Sequence, residues 1–171
     1  VCFLNGGLFP GSHRPLLIQH LLASPRGPMI ARLTSFRLFA ANMRRIFGRG
    51  TQPSVDELEA FWALIRNNDG PRVMPRLIRY LNERKQNRAR WVGALEHCPL
   101  PLKLIVGCAD PIVGAHLARR YHELVPHADV SELPGIGHYP QIEAPEAVLT
   151  AFLEFHARQG DRLRAWDSKL V

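Results

Sequence analysis

The sequence predicts an α/β fold that carries an inserted helical segment. A continuous apolar run at residues 102–106 has the length of a strand covered on both faces, and an apolar run at residues 1–4 ends in the turn signal Asn5-Gly6-Gly7. Between these runs, apolar side chains recur at helical spacing. With 171 residues, 46% of them hydrophobic, the chain can bury the core of one ordinary domain.

The first part of the chain is predicted to be a core strand and turn at residues 1–8. Residues 9–97 are expected to form a helical lid, in which the first helix covers residues 14–23. Pro25, Gly27 and Pro28 break that helix, and a second one is predicted from Ile30 to Phe39.

The remaining lid helices have clear start signals. A capping box of Ser54 and Glu57 opens a helix that ends at residues 67–70. Its apolar face comprises Leu58, Phe61, Trp62 and Ile65. Pro71 suits the first turn of the next helix, because a helix does not use that N–H. The predicted apolar stripe of that helix is Val73, Leu77, Ile78 and Leu81, and a last short helix contains Trp91 and Leu95.

Residues 98–158 are predicted to form the C-terminal part of the core. The pattern gives a strand at 102–106, a helix at 114–124, a strand at 130–133 and a helix that starts at Pro145. Residues 159–171 are expected to be a polar tail. Because the chain begins with Val rather than Met, inside an apolar run, we expect it to be the C-terminal part of a longer protein.

Polar residues follow the predicted strands. Asn5 follows the first, Asp110 comes shortly after the second, and His138 lies in the glycine-rich loop after the third. In an open parallel sheet, functional groups gather beyond the carboxyl ends of the strands. We therefore expect these three positions to lie at one edge of the sheet, with the lid over them.

Asp110 and His138 fit the acid and the histidine of a hydrolytic triad. Histidine can act as a base near neutral pH, and a carboxylate can orient the ring and stabilise its charged form. The plainer interpretations are a strand-end Asx turn for Asp110 and a loop histidine that holds a carbonyl for His138. Each is favoured when its residue is taken singly, but the order acid, strand, histidine loop, helix favours the catalytic pair.

The positive charge is unevenly distributed. The net charge is +7, and residues 1–55 contain seven arginines and neither Asp nor Glu. A basic region of this kind can attract nucleic acid or membrane surfaces, but a solvated helical face is the preferred interpretation. Because no nucleic-acid motif accompanies the charge, no nucleic-acid partner is expected.

The three cysteines indicate neither a disulfide framework nor a metal site. Cys2, Cys98 and Cys108 form no CxxC pair and have apolar neighbours, which favours reduced, buried thiols. We therefore expect neither a metal nor a cofactor.

Two segments of the C-terminal part resemble the α/β-hydrolase superfamily. GCADPIVG is similar to its acid turn, and GIGHYPQIEAPE is similar to its histidine loop. Three segments of the lid, LNGGLFPGSHRPLLIQ, FWALIRNNDG and YLNERKQNRARWVGAL, resemble the subgroup of the mesoderm-specific transcript protein, which is similar to epoxide hydrolases and haloalkane dehalogenases. The resemblance covers roughly residues 1–158 and implies the C-terminal half of that fold.

The resemblance implies a concrete chemistry. Members of this branch commonly use an aspartate nucleophile that forms an ester with the substrate, and a water activated by histidine then hydrolyses the ester. On this basis His138 is the general base and Asp110 the acid that orients it. The nucleophile is absent from this chain, so the 171 residues alone are expected to be inactive.

The resemblance also suggests a substrate-binding residue and a compartment. Epoxide hydrolases place a lid tyrosine over the epoxide oxygen, and Tyr80 stands roughly at that position, although ordinary packing explains it slightly better. The expected partner is a small hydrophobic substrate, and the location is the cytoplasm or the endoplasmic reticulum membrane. The alternative is a catalytically inactive hydrolase-fold protein that acts as a binding or scaffold module.

Overall fold

Three parallel strands form the sheet that carries the site. In the computed structural model, which describes the backbone of residues 1–167 and the side chains of residues 1–160, the strands pair in the order β1-β2-β3. They are β1 (Cys2–Leu4), β2 (Lys103–Gly107) and β3 (Asp129–Leu133). Leu4 pairs with Ile105, and Gly107 pairs with Leu133, so all three strands end at the same edge.

The middle strand is the buried one. Every residue of β2 is buried, as its continuous apolar pattern predicted. β1 lies at the edge of the described sheet, and Leu4 is 40% exposed. Burial is concentrated on β2 and on the helices packed against it, where Leu58, Leu104, Ile105, Leu117 and Tyr121 are fully buried.

Seven helices separate β1 from β2 and form what we call the helical insert. They are α1 (Leu17–Ala23), α2 (Gly27–Leu33), α3 (Phe36–Ile46), α4 (Val55–Arg66), α5 (Gly70–Leu77), α6 (Tyr80–Gln86) and α7 (Arg88–Glu96). Short 3-10 turns occupy Pro10–Ser12 and Asn67–Asp69. The capping box at Ser54 and Glu57 starts α4 as predicted, with Ser54 N donating to Glu57 Oε2 at 2.8 Å.

The structure corrects two helix predictions in the insert. The predicted helix from Ile30 to Phe39 is two helices, because the chain is extended at Thr34 and Ser35 and the Ser35 hydroxyl caps α3. The helix predicted after Pro71 likewise divides into α5 and α6.

Because the helix is divided, the buried face of α5 differs from the predicted one. Val73 and Leu77 are 43% and 62% exposed, so the predicted stripe is wrong at those positions. α5 instead packs on α2 through the face of Pro75, which lies against Gly27. A stripe predicted across both helices fails because the chain turns between Leu77 and Tyr80.

The C-terminal part follows the predicted order. It contains α8 (Ala115–Leu124), the short α9 (Pro140–Glu143) and α10 (Pro145–Asp167). The last helix extends into the predicted polar tail, 159–171, as far as Asp167. Residues 168–171 lie outside the described residues. None of the described helices combines the length and the hydropathy that a membrane crossing requires.

Candidate active site

Asp110 and His138 meet at the carboxyl edge of the sheet. Asp110 lies in the turn that follows β2, and His138 lies in the loop between β3 and α9. His138 Nδ1 is 2.6 Å from Asp110 Oδ2. The Asp110 side chain is fully buried, whereas the His138 side chain is 25% exposed. The contact therefore joins a buried acid to a ring that reaches open space.

The two oxygens of Asp110 serve different partners. Oδ1 accepts the Ile112 backbone N–H at 2.7 Å, which is the Asx turn that the sequence also indicated. Oδ2 faces His138 and accepts from Asn5 Nδ2 at 3.1 Å. The structural and the catalytic interpretations of Asp110 are thus compatible, because the turn fixes one oxygen and leaves the other for the ring.

Asn5 connects the three loops of the site. Its Nδ2 donates to the Gly137 carbonyl at 2.8 Å as well as to Asp110, and its Oδ1 accepts the Gly107 N–H at 2.8 Å. Asn5 is 5% exposed and has a φ of 35°, a region in which Asn is tolerated better than most residues. Sequence reasoning placed Asn5 at this edge but gave it no role. Its position in Asn-Gly-Gly after a strand was the available signal.

Glycines allow the histidine loop to approach its neighbours closely, because they have no β-carbon. A β-carbon at Gly107 would collide with the Gly137 carbonyl, and one at Gly137 would collide with the Ile46 carbonyl at the end of α3. The same Ile46 carbonyl accepts the His138 backbone N–H at 2.8 Å. The insert is therefore bonded directly to the loop that carries the histidine.

Glu143 accepts hydrogen bonds from both the helical insert and the histidine loop. Its Oε2 accepts from the Gly137 N–H at 2.8 Å, the Gly48 N–H at 2.8 Å and the Thr51 hydroxyl at 2.6 Å, and its Oε1 accepts from the Tyr139 N–H at 3.0 Å. Gly48 and Thr51 belong to the segment between α3 and α4, so one carboxylate ties the insert to the loop. Charged acceptors form the stronger class of protein hydrogen bonds.

An apolar cavity of about 270 Å³ lies between the insert and His138. Its wall is formed mainly by α1 to α5 and includes Leu22, Ala31, Phe39, Met43, Trp62 and Met74. Tyr139 completes the wall beside His138, and burial, followed by the nearby Asp110, raises the pKa of its hydroxyl. A larger hollow of about 430 Å³ between α7, β3 and α10 does not include the histidine.

Three polar side chains of the cavity wall make local hydrogen bonds to the backbone. Gln19 Oε1 accepts from Leu16 N, Thr34 Oγ1 donates to Ile30 O, and Asn42 Nδ2 donates to Leu38 O. No Asp, Glu, Lys or Arg lines the wall among the described residues. His138 and Tyr139 are the titratable residues that line this cavity.

The structure places the other predicted residue outside this cavity. Tyr80 begins α6, is 43% exposed and stacks with the Arg84 guanidinium, 5.7 Å from the ring centroid. Its role as a proton donor stays a prediction. Trp62, which the sequence suggested as core, packs on Phe36 and Phe39 and also lines the cavity. No group of three or more potential metal ligands occurs within the described residues.

Comparison with known proteins gives concordant results. The model of the alpha/beta hydrolase family matches residues 1–151. The mesoderm-specific transcript protein of Mus musculus is 42% identical over 159 residues, an alignment that covers 91% of this chain and 48% of that protein. The chain thus spans about half the length of that relative.

Solved structures share the fold. A haloalkane dehalogenase loop variant from Bradyrhizobium elkanii aligns with a TM-score of 0.69 at 19% identity, covering 94% of this chain and 61% of the other. A thermophilic esterase from Thermogutta terrifontis aligns with a TM-score of 0.64 at 19% identity, covering 92% and 55%. At this level of identity the likeness shows the fold alone.

Proposed function

The chain belongs to the alpha/beta hydrolase family, and from that premise we propose that it supplies the base and the orienting acid of a hydrolase. His138 acts as the general base that activates water, and Asp110 orients it. The observation that carries the proposal is the 2.6 Å contact between His138 Nδ1 and Asp110 Oδ2, with the ring facing the apolar cavity.

The hydrogen-bond pattern assigns the two ring nitrogens. An ionised carboxylate can only accept, so Nδ1 carries the proton that Asp110 binds. Nε2 then has a free lone pair, and it makes no hydrogen bond among the described residues. A water beside Nε2 can give it a proton, and the imidazolium that forms is stabilised by the buried Asp110 carboxylate.

The cavity favours a small, apolar and neutral substrate. Its wall is dominated by apolar side chains, and Gln19, Thr34 and Asn42 each make a local hydrogen bond to the backbone. Binding a charged group there would remove it from water without a compensating partner. An epoxide, a halogenated hydrocarbon or an ester with an apolar body fits these conditions, in line with the enzymes whose fold the chain shares.

The nucleophile determines which of these bonds is cleaved. We propose that it comes from residues outside these 171, since no serine, cysteine or carboxylate hydrogen-bonds to His138 Nε2 among the described residues. With an aspartate nucleophile, its carboxylate forms a bond to carbon while the carbon–oxygen or carbon–halogen bond breaks. Water then attacks the ester carbonyl as its proton passes to Nε2, which releases the alcohol and the free aspartate.

The proposal is tested with the complete natural polypeptide and with this chain. We expect the 171 residues alone to turn over neither styrene oxide, 1-bromohexane nor 4-nitrophenyl butyrate. The complete polypeptide is expected to hydrolyse at least one of them. His138→Ala should lower kcat by roughly a thousandfold or more, while His122→Ala, on the exposed face of α8, should leave it unchanged.

Replacing His138 also distinguishes an aspartate nucleophile from a serine nucleophile. With an aspartate nucleophile, His138→Gln should still form the ester but not hydrolyse it, so the covalent adduct accumulates and is seen by mass spectrometry. A serine needs the histidine in the first step, so no adduct should form. Full activity of His138→Ala would overturn the proposal, and a complete polypeptide without turnover would favour a non-catalytic binding module.

A further inference from the structure

Arg84 is a buried cation that stacks on Tyr80 but has no anionic partner among the described residues. It lies in α6, is 7% exposed, and its three guanidinium nitrogens have no hydrogen-bond partner among the described residues. No described Asp or Glu forms an ion pair with it. Burial lowers the pKa of Arg84, and the nearby Tyr80 hydroxyl partly offsets this.

The guanidinium lies across the backbone just after Asn5. A β-carbon on Gly7 would lie 2.5 to 3.0 Å from Nη1, Cζ and Nη2, so the guanidinium packs directly on this glycine and would have to shift for a larger residue. The Gly7 N–H also donates no hydrogen bond within the described residues. The guanidinium and the Gly7 backbone, each with unused N–H donors, thus lie in contact at the carboxyl edge of the sheet.

His13 lies close enough to this guanidinium and to the Asp110–His138 pair that all three affect its pKa. Both of its ring nitrogens are buried without a partner. Burial and then Arg84 lower the pKa of His13 to about 4, against the opposing effect of Asp110. His13 is consequently neutral at pH 7 and adds no positive charge beside Arg84.

A buried, unpaired guanidinium is costly unless an anion completes it. We propose that Arg84, with the adjoining Gly7 amide, binds a carboxylate next to the catalytic edge of the sheet. A guanidinium presents parallel N–H groups that match the two oxygens of a carboxylate. The single positive charge suits a monoanion rather than a phosphate dianion, and the fork suits a planar acceptor rather than a spherical halide.

Access to the guanidinium involves Tyr80. Its ring centroid lies 5.7 Å from Arg84 Cζ, and the residue is 43% exposed. The proposal requires that this exposed side chain move aside for the carboxylate. The carboxylate is either part of a small molecule or a side chain of the protein outside these 171 residues, and the chemistry of recognition is the same.

The melting temperature of the 171-residue chain measures this binding. Sodium chloride is replaced by sodium acetate or sodium benzoate at pH 7 and constant ionic strength. At about ten times the half-saturating concentration, we expect the Tm of the unaltered chain to rise by roughly 3 to 6 °C. Arg84→Met should abolish the rise, Arg84→Lys should reduce it, and Arg90→Met, at an exposed position in α7, should leave it intact.

The same titration of the complete natural polypeptide shows whether the carboxylate comes from a small molecule or from another part of the protein. If the carboxylate belongs to a small molecule, the Arg84-dependent rise persists. If it belongs to a side chain elsewhere in the protein, added carboxylate has no effect there and Arg84→Met lowers the Tm. The proposal is overturned if acetate and benzoate act like chloride on the 171-residue chain, or if the rise survives in Arg84→Met. These readouts report binding, so they are independent of the proposed hydrolysis.

Discussion

Single polar side chains join loops that are far apart in the sequence. Asn5 bonds three of them, and its amide satisfies the Gly107 N–H, the Gly137 carbonyl and the Asp110 carboxylate in a buried position. Because buried polar groups are expensive when unpaired, one such residue can hold the histidine loop against the acid turn.

Asn5→Ala is therefore expected to destabilise the chain. The substitution leaves the Gly107 N–H and the Gly137 carbonyl unpaired. It also puts alanine at a φ of 35°, where a β-carbon is sterically unfavourable and alanine lacks the local hydrogen bonds of asparagine. We expect a loss of about 3 kcal/mol in the free energy of unfolding, measured by urea titration. Asn5→Gly is the matched control, because it removes the same bonds without the φ cost and should lose about 1 kcal/mol less. An unchanged midpoint in both variants would contradict the role of Asn5.

His13 makes stability depend on pH. Its pKa is lowered to about 4, first by burial and then by Arg84, and Asp110, His138 and His116 also act on it. The unfolded chain therefore binds more protons than the folded chain between pH 4 and the ordinary histidine value near 6.5. The contribution of His13 therefore lowers the free energy of unfolding as the pH falls from about 6.5 to about 4.

The expected result is a urea midpoint that decreases from pH 7 to pH 5. His13→Gln should flatten this decrease, because the glutamine does not titrate. His122→Gln, at an exposed position, should retain it. If both variants keep the slope of the unaltered chain, another group is responsible for it.

At the level of elements, hydrogen bonds connect the helical insert to the histidine loop, and we call this connection the joint. The end of α3 accepts the His138 N–H, and Glu143 at the end of α9 accepts from Gly48 and Thr51 in the segment between α3 and α4. The packing that closes the cavity therefore also fixes the backbone of His138.

Glu143→Gln tests this joint. A glutamine turns an NH₂ group toward N–H donors, so part of the four-donor arrangement is lost and we expect about 2 kcal/mol of destabilisation. Amide hydrogen exchange should accelerate at Gly48, Gly137 and Tyr139. Glu146→Gln is the control, because Glu146 is exposed on the next helix. Exchange at these three amides that is the same in both variants would show that the joint does not depend on this carboxylate.

In the molecule as a whole, the apolar cavity depends on how the insert closes over the sheet edge. Ala31 on α2 is 4% exposed and lines it, far along the chain from His138. Filling the cavity from this side changes its volume without altering Asp110 or His138.

Ala31→Phe is therefore expected to abolish binding of an apolar probe. Bromobenzene should quench the fluorescence of Trp62, which lines the cavity, and the quenching should be lost in Ala31→Phe. Ala63→Phe, on the exposed face of α4, should bind the probe normally. Trp62→Phe should remove the signal itself. Normal quenching in Ala31→Phe would mean that the probe does not occupy this cavity.

Local sequence patterns predicted the fold class, the order of helices and strands along the chain, and Asp110 and His138 as the candidate acid and histidine. These follow from local patterns, since a continuous apolar run, a capping box and a glycine-rich histidine loop each act over a few residues. The contacts in space were needed to show that Asn5 bonds three loops, that Glu143 ties the helical insert to the histidine loop, that Tyr80 lies outside the cavity, and that Arg84 is buried. Those properties depend on contacts between residues up to 132 positions apart, as between Asn5 and Gly137, and no periodicity along the chain reports them.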